Sequence, residues 1–274
     1  MEIISLVSLC NQLESLGVEP PGEARRVLDV HAALMAAAAQ SPSGDLRKAL
    51  ADGTLTAASA PKLLQNAARN ENARQSAHAL ARDLNHPVRS IVREAFAADA
   101  DRIVAELRPA FDAASAGVQR AAALLAPDAG PAEVLAAGRD TTEPWQQLAE
   151  HCAVLDLIQG ARSALYAISG GQPSPLVAAY IEAAPDAEAL DRAARLFDGS
   201  GEGLTGPLPR TVGGRWHRLI SAGYTLRLNS GQEARQVIAA ARAATASAAA
   251  AADAARARRG PRRPDWSLTL PQPR

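Results

Sequence analysis

Aromatic residues are scarce in this chain: three Phe, three Tyr and three Trp serve 274 residues. A β-sandwich or barrel draws its core from aromatic and β-branched side chains, so the scarcity argues against one. Cysteine is rarer still. Cys10 and Cys152 are the only two, and neither sits in a CxxC pair. That excludes a disulfide framework, and two buried free thiols in a reducing compartment are expected. No run of about 18 apolar residues occurs, so no membrane span is expected. The opening MEIISLVSLCNQL has Glu2 where a secretory signal would carry positive charge, and polar residues interrupt its apolar run. The expected location is cytoplasmic. Lysine is nearly missing too, with Lys48 and Lys62 alone. Arginine takes its place along the whole chain, a spread that fits compositional bias better than one built recognition site.

What is present is alanine and leucine, the head of the helix-propensity scale. The expected fold class is all-α: an elongated multi-helix bundle with a long helical hairpin, a C-terminal Ala/Arg-rich helix and a disordered tail. Charge is unevenly placed. The chain is neutral overall, but from Pro207 onward twelve arginines face only Glu233, Asp253 and Asp265. The last quarter is therefore strongly basic and the rest equally acidic. Such bipolarity suits a molecule that touches an anionic partner, or a copy of itself, with one end.

Apolar spacing predicts the helices. Residues 2–16 form one, stopped by Gly17. A second runs to about Gln40 with Ala24, Val27, Leu28, His31, Leu34, Met35 and Ala38 on one face, and the two should pair as an antiparallel hairpin. A short helix is expected at 45–51. Another begins at Thr56 or Ser59 and reaches Leu84, with a very polar middle at 69–75. His86-Pro87 then opens the longest helix, to about Leu125. Its stripe of Phe96, Ala100, Ile103, Leu107, Phe111, Ala114, Val118, Ala121 and Leu125 steps by three and four like a coiled-coil seam, and Pro109 predicts a kink. A short helix at 132–137 precedes a long one that is capped near Asp140–Glu143 and ends at Ile168. This long helix should pack on the 88–125 helix. Ser174-Pro175 and Pro185-Asp186 each start a helix, and the second ends at Gly199. The span 215–228 reads as helix, although Tyr224–Leu228 alternates like a strand. Ser230-Gly-Gln-Glu233 is a capping box opening a helix to about Arg259.

The expected division is a helical body at 1–170, a smaller helical and loop region at 171–230 with a Gly/Pro-rich segment at 199–214, the C-terminal helix at 231–259 and a disordered basic tail at 260–274.

Few patterns suggest chemistry. Gly201, Gly203 and Gly206 fit GxGxxG, but a helix precedes them and prolines follow, where a dinucleotide loop needs a strand and then a helix. Asp83 and His86, with His78 eight residues earlier, lack the second ligand pair a helical metal site needs. His151, Cys152 and Asp156 look like a base, nucleophile and orienter, but neighbours on a helix point about 100° apart and cannot relay a proton. No catalytic residue, cofactor or metal is expected. His31 reads as a core or interface histidine.

The basic end remains. Arg256, Arg258, Arg259, Arg262 and Arg263 surround a helix terminus, and Trp266, Leu268 and Leu270 follow in an otherwise polar tail. These eight are the expected partner-binding residues. Cations also simply favour a helix C-terminus, yet the apolar trio suits a docking peptide. The expected function is a non-catalytic assembly or adaptor protein that docks a protein partner or its own copy as a homo-oligomer, without membrane contact. The arrangement resembles, in architecture only, phage scaffolding and virion-assembly proteins. Nucleic-acid binding through Arg215–Arg263 is the alternative, and an enzyme with a site assembled from scattered residues comes third.

Overall fold

The computed structural model describes residues 3–39, 48, 51, 52, 54, 56, 59–126, 129, 131–169, 171, 173–199 and 214–259, with Arg259 as backbone alone. Eight α-helices lie among them: α1 (Ile3–Ser15), α2 (Gly22–Ala39), α3 (Ala60–Ala122), α4 (Pro131–Ala136), α5 (Arg139–Ser169), α6 (Ala187–Asp198), α7 (Gly214–Ser221) and α8 (Gly231–Arg259). A single 3₁₀ turn, Leu176–Ala179, completes the set. The described residues contain no β-strand, only an isolated antiparallel bridge between Ile181 and Leu226. The fold is all-α. The expected 45–51 helix, the GxGxxG glycines and the 260–274 tail lie outside the described residues.

At 63 residues, α3 is about 95 Å long. The sequence reading split it at His86-Pro87, and the structure corrects this: one helix passes through both Pro87 and Pro109. An internal proline removes one backbone hydrogen bond and costs about 3 kcal/mol. Against that, Val88, Val92 and Phe96 are buried just beyond Pro87, with Ala81 buried just before it. Each large side chain is worth about 1.5–3 kcal/mol when removed from water. Unbroken burial outweighs the lost bond, and Pro87 itself faces solvent.

The stripe from Phe96 to Leu125 is buried at all nine positions. It faces inward, against α5, whose Leu148, Cys152, Leu155, Ile158, Ala161, Leu165 and Ile168 are buried opposite it. The two helices come very close at Gly117. A Cβ there would lie 2.2 Å from the His151 ring, so only glycine fits with that ring in place. The other face of α3 takes α2. His31 is buried and its Nε2 meets Asn85 Oδ1 at 2.9 Å, the core histidine expected from the pattern. The expected α1–α2 pairing is minor by comparison, because α1 also leans on α5 and α3.

Beyond α5 the chain caps one end of the bundle. The helix expected at Ser174-Pro175 is only the 3₁₀ turn. Helix α6 follows expectation: Asp186 accepts from Ala189 N at 2.7 Å, and Gly199 closes it at φ 76°. The span 215–228 divides between its two readings. Helix α7 ends at Ser221, and the extended stretch after it bonds to residues 179–182: Arg227 N donates to Tyr180 O (3.0 Å) and Glu182 N to Thr225 O (3.0 Å). One continuous cluster of buried apolar residues runs from Leu6 to Ala241.

Four of the chain's few aromatics gather where these pieces meet. Phe111, Tyr180, Phe197 and Trp216 hold ring centroids 5.3–6.3 Å apart in stacked and edge-on pairs. Trp216 Nε1 donates to Asp156 Oδ1 at 2.8 Å, which satisfies the one polar atom of a buried indole.

Candidate functional site

Helix α8 is fastened at its start and free at its end. The capping box forms as its spacing predicts: Ser230 N donates to Glu233 Oε2 (2.7 Å) and Glu233 N to Ser230 Oγ (3.2 Å). Asn229, buried just before it, donates from Nδ2 to Ala178 O (2.9 Å) and Ile181 O (2.8 Å). Its carbonyl accepts from Arg162 Nε (2.9 Å). Gly231 N donates to the Tyr166 hydroxyl at 2.6 Å, and a Cβ on Gly231 would lie 2.6 Å from that ring. Arg108 pairs with Glu233, and Arg227 reaches its other oxygen at 3.1 Å. Burial pushes the Glu233 carboxyl up, but hydrogen bonding from Ser230 and the charges of Arg108 and Arg227 pull it net below the usual range.

The first three turns pack normally. Ala234, Ile238 and Ala241 are buried at steps of four and three. Thr245 Oγ1 then accepts from Ala187 N at 2.9 Å, the bond from the α6 end of the body. From Ala246 to Arg258 every residue is exposed. Those thirteen residues extend about 20 Å. They hold helical form because they are mostly alanine, which needs least from its surroundings.

Among the expected docking residues, Arg256 and Arg258 are exposed on this free segment, and Arg256 lies 3.5 Å from its own-helix neighbour Asp253. Arg259 ends the helix, its side chain undescribed. Arg262, Arg263, Trp266, Leu268 and Leu270 lie outside the described residues. Three of the other arginines that make the last quarter basic are engaged within the body. Arg215 bonds Gln159 (3.1 Å) and lies over the Phe197 ring (5.0 Å), Arg218 donates to Leu196 O (3.3 Å), and Arg227 serves Glu233.

The remaining sequence candidates come apart. Cys152 is buried, and burial followed by the nearby Asp156 charge pushes its thiol up to about 12, which disfavours the thiolate that attack would need. Asp156 serves Trp216, and His151 Nε2 makes no hydrogen bond among the described residues. His86 lines a cleft of about 380 Å³ with Arg89, Arg93 and Glu94, beside Leu6. Asp83 instead lies 3.8 Å from Arg82. Among the described residues no three His, Cys, Asp or Glu converge on a metal position. No described helix is long and apolar enough to cross a membrane.

Arg162 escaped the sequence reading. It is fully buried, lies 4.4 Å from the Tyr166 ring centroid and 5.5 Å from that of Tyr180, and its Nη1 and Nη2 meet no hydrogen-bond acceptor of good geometry among the described residues. The signal was there: Arg162 falls in step with Leu155, Ile158 and Leu165 on the buried stripe. No family model, curated protein or solved structure matches this chain.

Proposed function

We propose that this protein is a non-catalytic adaptor or assembly protein that grips an acidic protein surface, on a partner or on another copy of itself, with the free end of α8. The observation that carries the reading is a helix clamped at residues 229–233 and exposed at every residue from Ala246 to Arg258, with arginines at its tip. The contrast along α8 supports the reading: Arg227 at its root is held by Glu233, while Arg258 at its tip has no ion pair among the described residues. An unpaired guanidinium at Arg258, beside one at Arg256 that meets only its own-helix neighbour Asp253, suits carboxylate recognition.

The test compares the full chain with a variant in which Arg256, Arg258, Arg259, Arg262 and Arg263 are all changed to Gln. Multi-angle light scattering reads self-association, and purification from native cells followed by reciprocal pull-down reads a partner. The expected result is a complex weakened at least tenfold in the variant and by added salt. A monomer that recovers the same proteins with or without these arginines overturns the proposal. Tight duplex-DNA binding with a steep salt dependence would move the assignment to nucleic acid.

A further inference from the structure

The first half of α8 borders a groove that the free tip does not explain. Its larger part, about 410 Å³, lies beside the helix, with Arg235, Ile238 and Arg242 along one wall and Gly171, Pro173 and Ser174 on the other. A further space of about 220 Å³ shares Gly171 and Arg235 with it and reaches Asp101 and Tyr166. Arg235 and Arg242 are both exposed, and neither has an ion pair among the described residues. They are seven residues apart, so they share a helix face about 10 Å apart along the axis. The cation behind Tyr166 adds to the field: Arg162 is wholly buried with no carboxylate against it among the described residues.

We propose that this groove binds an extended acidic peptide with two carboxylates three residues apart. The spacing fits. In polyproline II conformation residues i and i+3 share a face and lie about 9 Å apart, so each carboxylate meets one guanidinium. Between the two arginines the wall is Ile238 and Ala239, with Pro173 opposite, a surface suited to uncharged intervening residues. Asp101 decides against a nucleic-acid strand. A strand running the length of the groove would bring a phosphate to that carboxylate, whereas a peptide places a neutral or basic residue there. The site is separate from the helix tip and adds a second contact to the proposed docking role.

The experiment titrates full-length protein into a fluorescein-labelled Glu-Pro-Pro-Glu peptide at low salt, with a Gln-Pro-Pro-Gln peptide and hexathymidylate as comparisons. The acidic peptide should bind saturably and the amide peptide should not. The R235Q/R242Q variant should weaken binding at least tenfold, because two charge-assisted contacts are lost. The D101N variant should strengthen it, and R69Q, on the exposed polar stretch of α3, should leave it unchanged. Both arginines and Asp101 are exposed, so these variants keep the fold, as circular dichroism would verify. Absence of saturable binding, indifference to R235Q/R242Q, or tighter binding of hexathymidylate overturns the proposal. Because tip and groove variants are separate, failure of one reading is distinguishable from failure of the other.

Discussion

Arg162 stands in the core without a carboxylate, and its neighbours explain how that is tolerated. Tyr166 and Tyr180 supply ring faces and Asn229 one carbonyl. Burial lowers its readiness to hold the proton. Arg162→Met should therefore retain most stability in urea unfolding, within about 2 kcal/mol, since it removes a buried charge and loses one hydrogen bond. Arg162→Glu should prevent folding. At Gly117 two effects oppose each other. Alanine favours a helix over glycine by about 1 kcal/mol, but its methyl overlaps the His151 ring. Overpacking costs about 1–3 kcal/mol, so Gly117→Ala should destabilise. In a His151→Ala background the same change should become stabilising, a sign reversal that a double-mutant cycle reads directly. His217 gives a pH signature. Burial lowers its pKa, outweighing its bond to the Leu125 carbonyl. The unfolded chain then binds the proton more readily than the folded one. Stability is complete above about pH 6.5 and falls as pH drops through the folded value. A His217→Gln variant should show a flatter stability profile between pH 5 and 7.

Helix α8 shows what its own capping pattern foretold and what it did not. The Ser230–Glu233 spacing announced the start, and the reciprocal bonds are there. Ser230→Ala should cost about 1 kcal/mol. Glu233 titrates below its usual value in the folded chain, so its contribution holds above the unfolded carboxylate pKa and disappears as pH falls through the folded one. Glu233→Gln should destabilise at neutral pH and match the unmodified protein in acid. Backbone hydrogen exchange should fall into two regimes, slow through Ala241 and fast beyond Thr245, where no packing opposes fraying. The clamp before the helix was not legible. Asn229 looks like an ordinary turn residue until the fold brings the carbonyls of Ala178, in the 3₁₀ turn, and Ile181, just after it, against its amide. Helix α3 misled in the other direction. Pro87 resembles a helix start locally, and only the burial of Val88, Val92 and Phe96 in series with Ala81 shows the helix continuing.

Across the whole molecule, periodicity carried the architecture. The nine-residue stripe of α3 and its partner α5 were legible because one buried face of a long helix repeats its signal many times. The proposed docking surface was legible only as charge imbalance. Sequence alone could not say which arginines the body retains, because Gln159 and Leu196 lie far from Arg215 and Arg218 along the chain and Leu196 acts through its backbone carbonyl. The groove was invisible because Pro173 and Ser174 meet Arg235, Ile238 and Arg242 only when the chain folds back on itself.

The clamp at residues 229–233 also has a mechanical consequence. Anything bound at Arg258 pulls on a stiff strut whose single fixed end is a knot of Asn229, Gly231 and Glu233 bonds to three different parts of the body. Tension along that strut loads those bonds together, in shear, instead of peeling them one by one. Sideways tugging beyond Thr245 meets no buried residue among those described, so the tip can swing while its packed root holds.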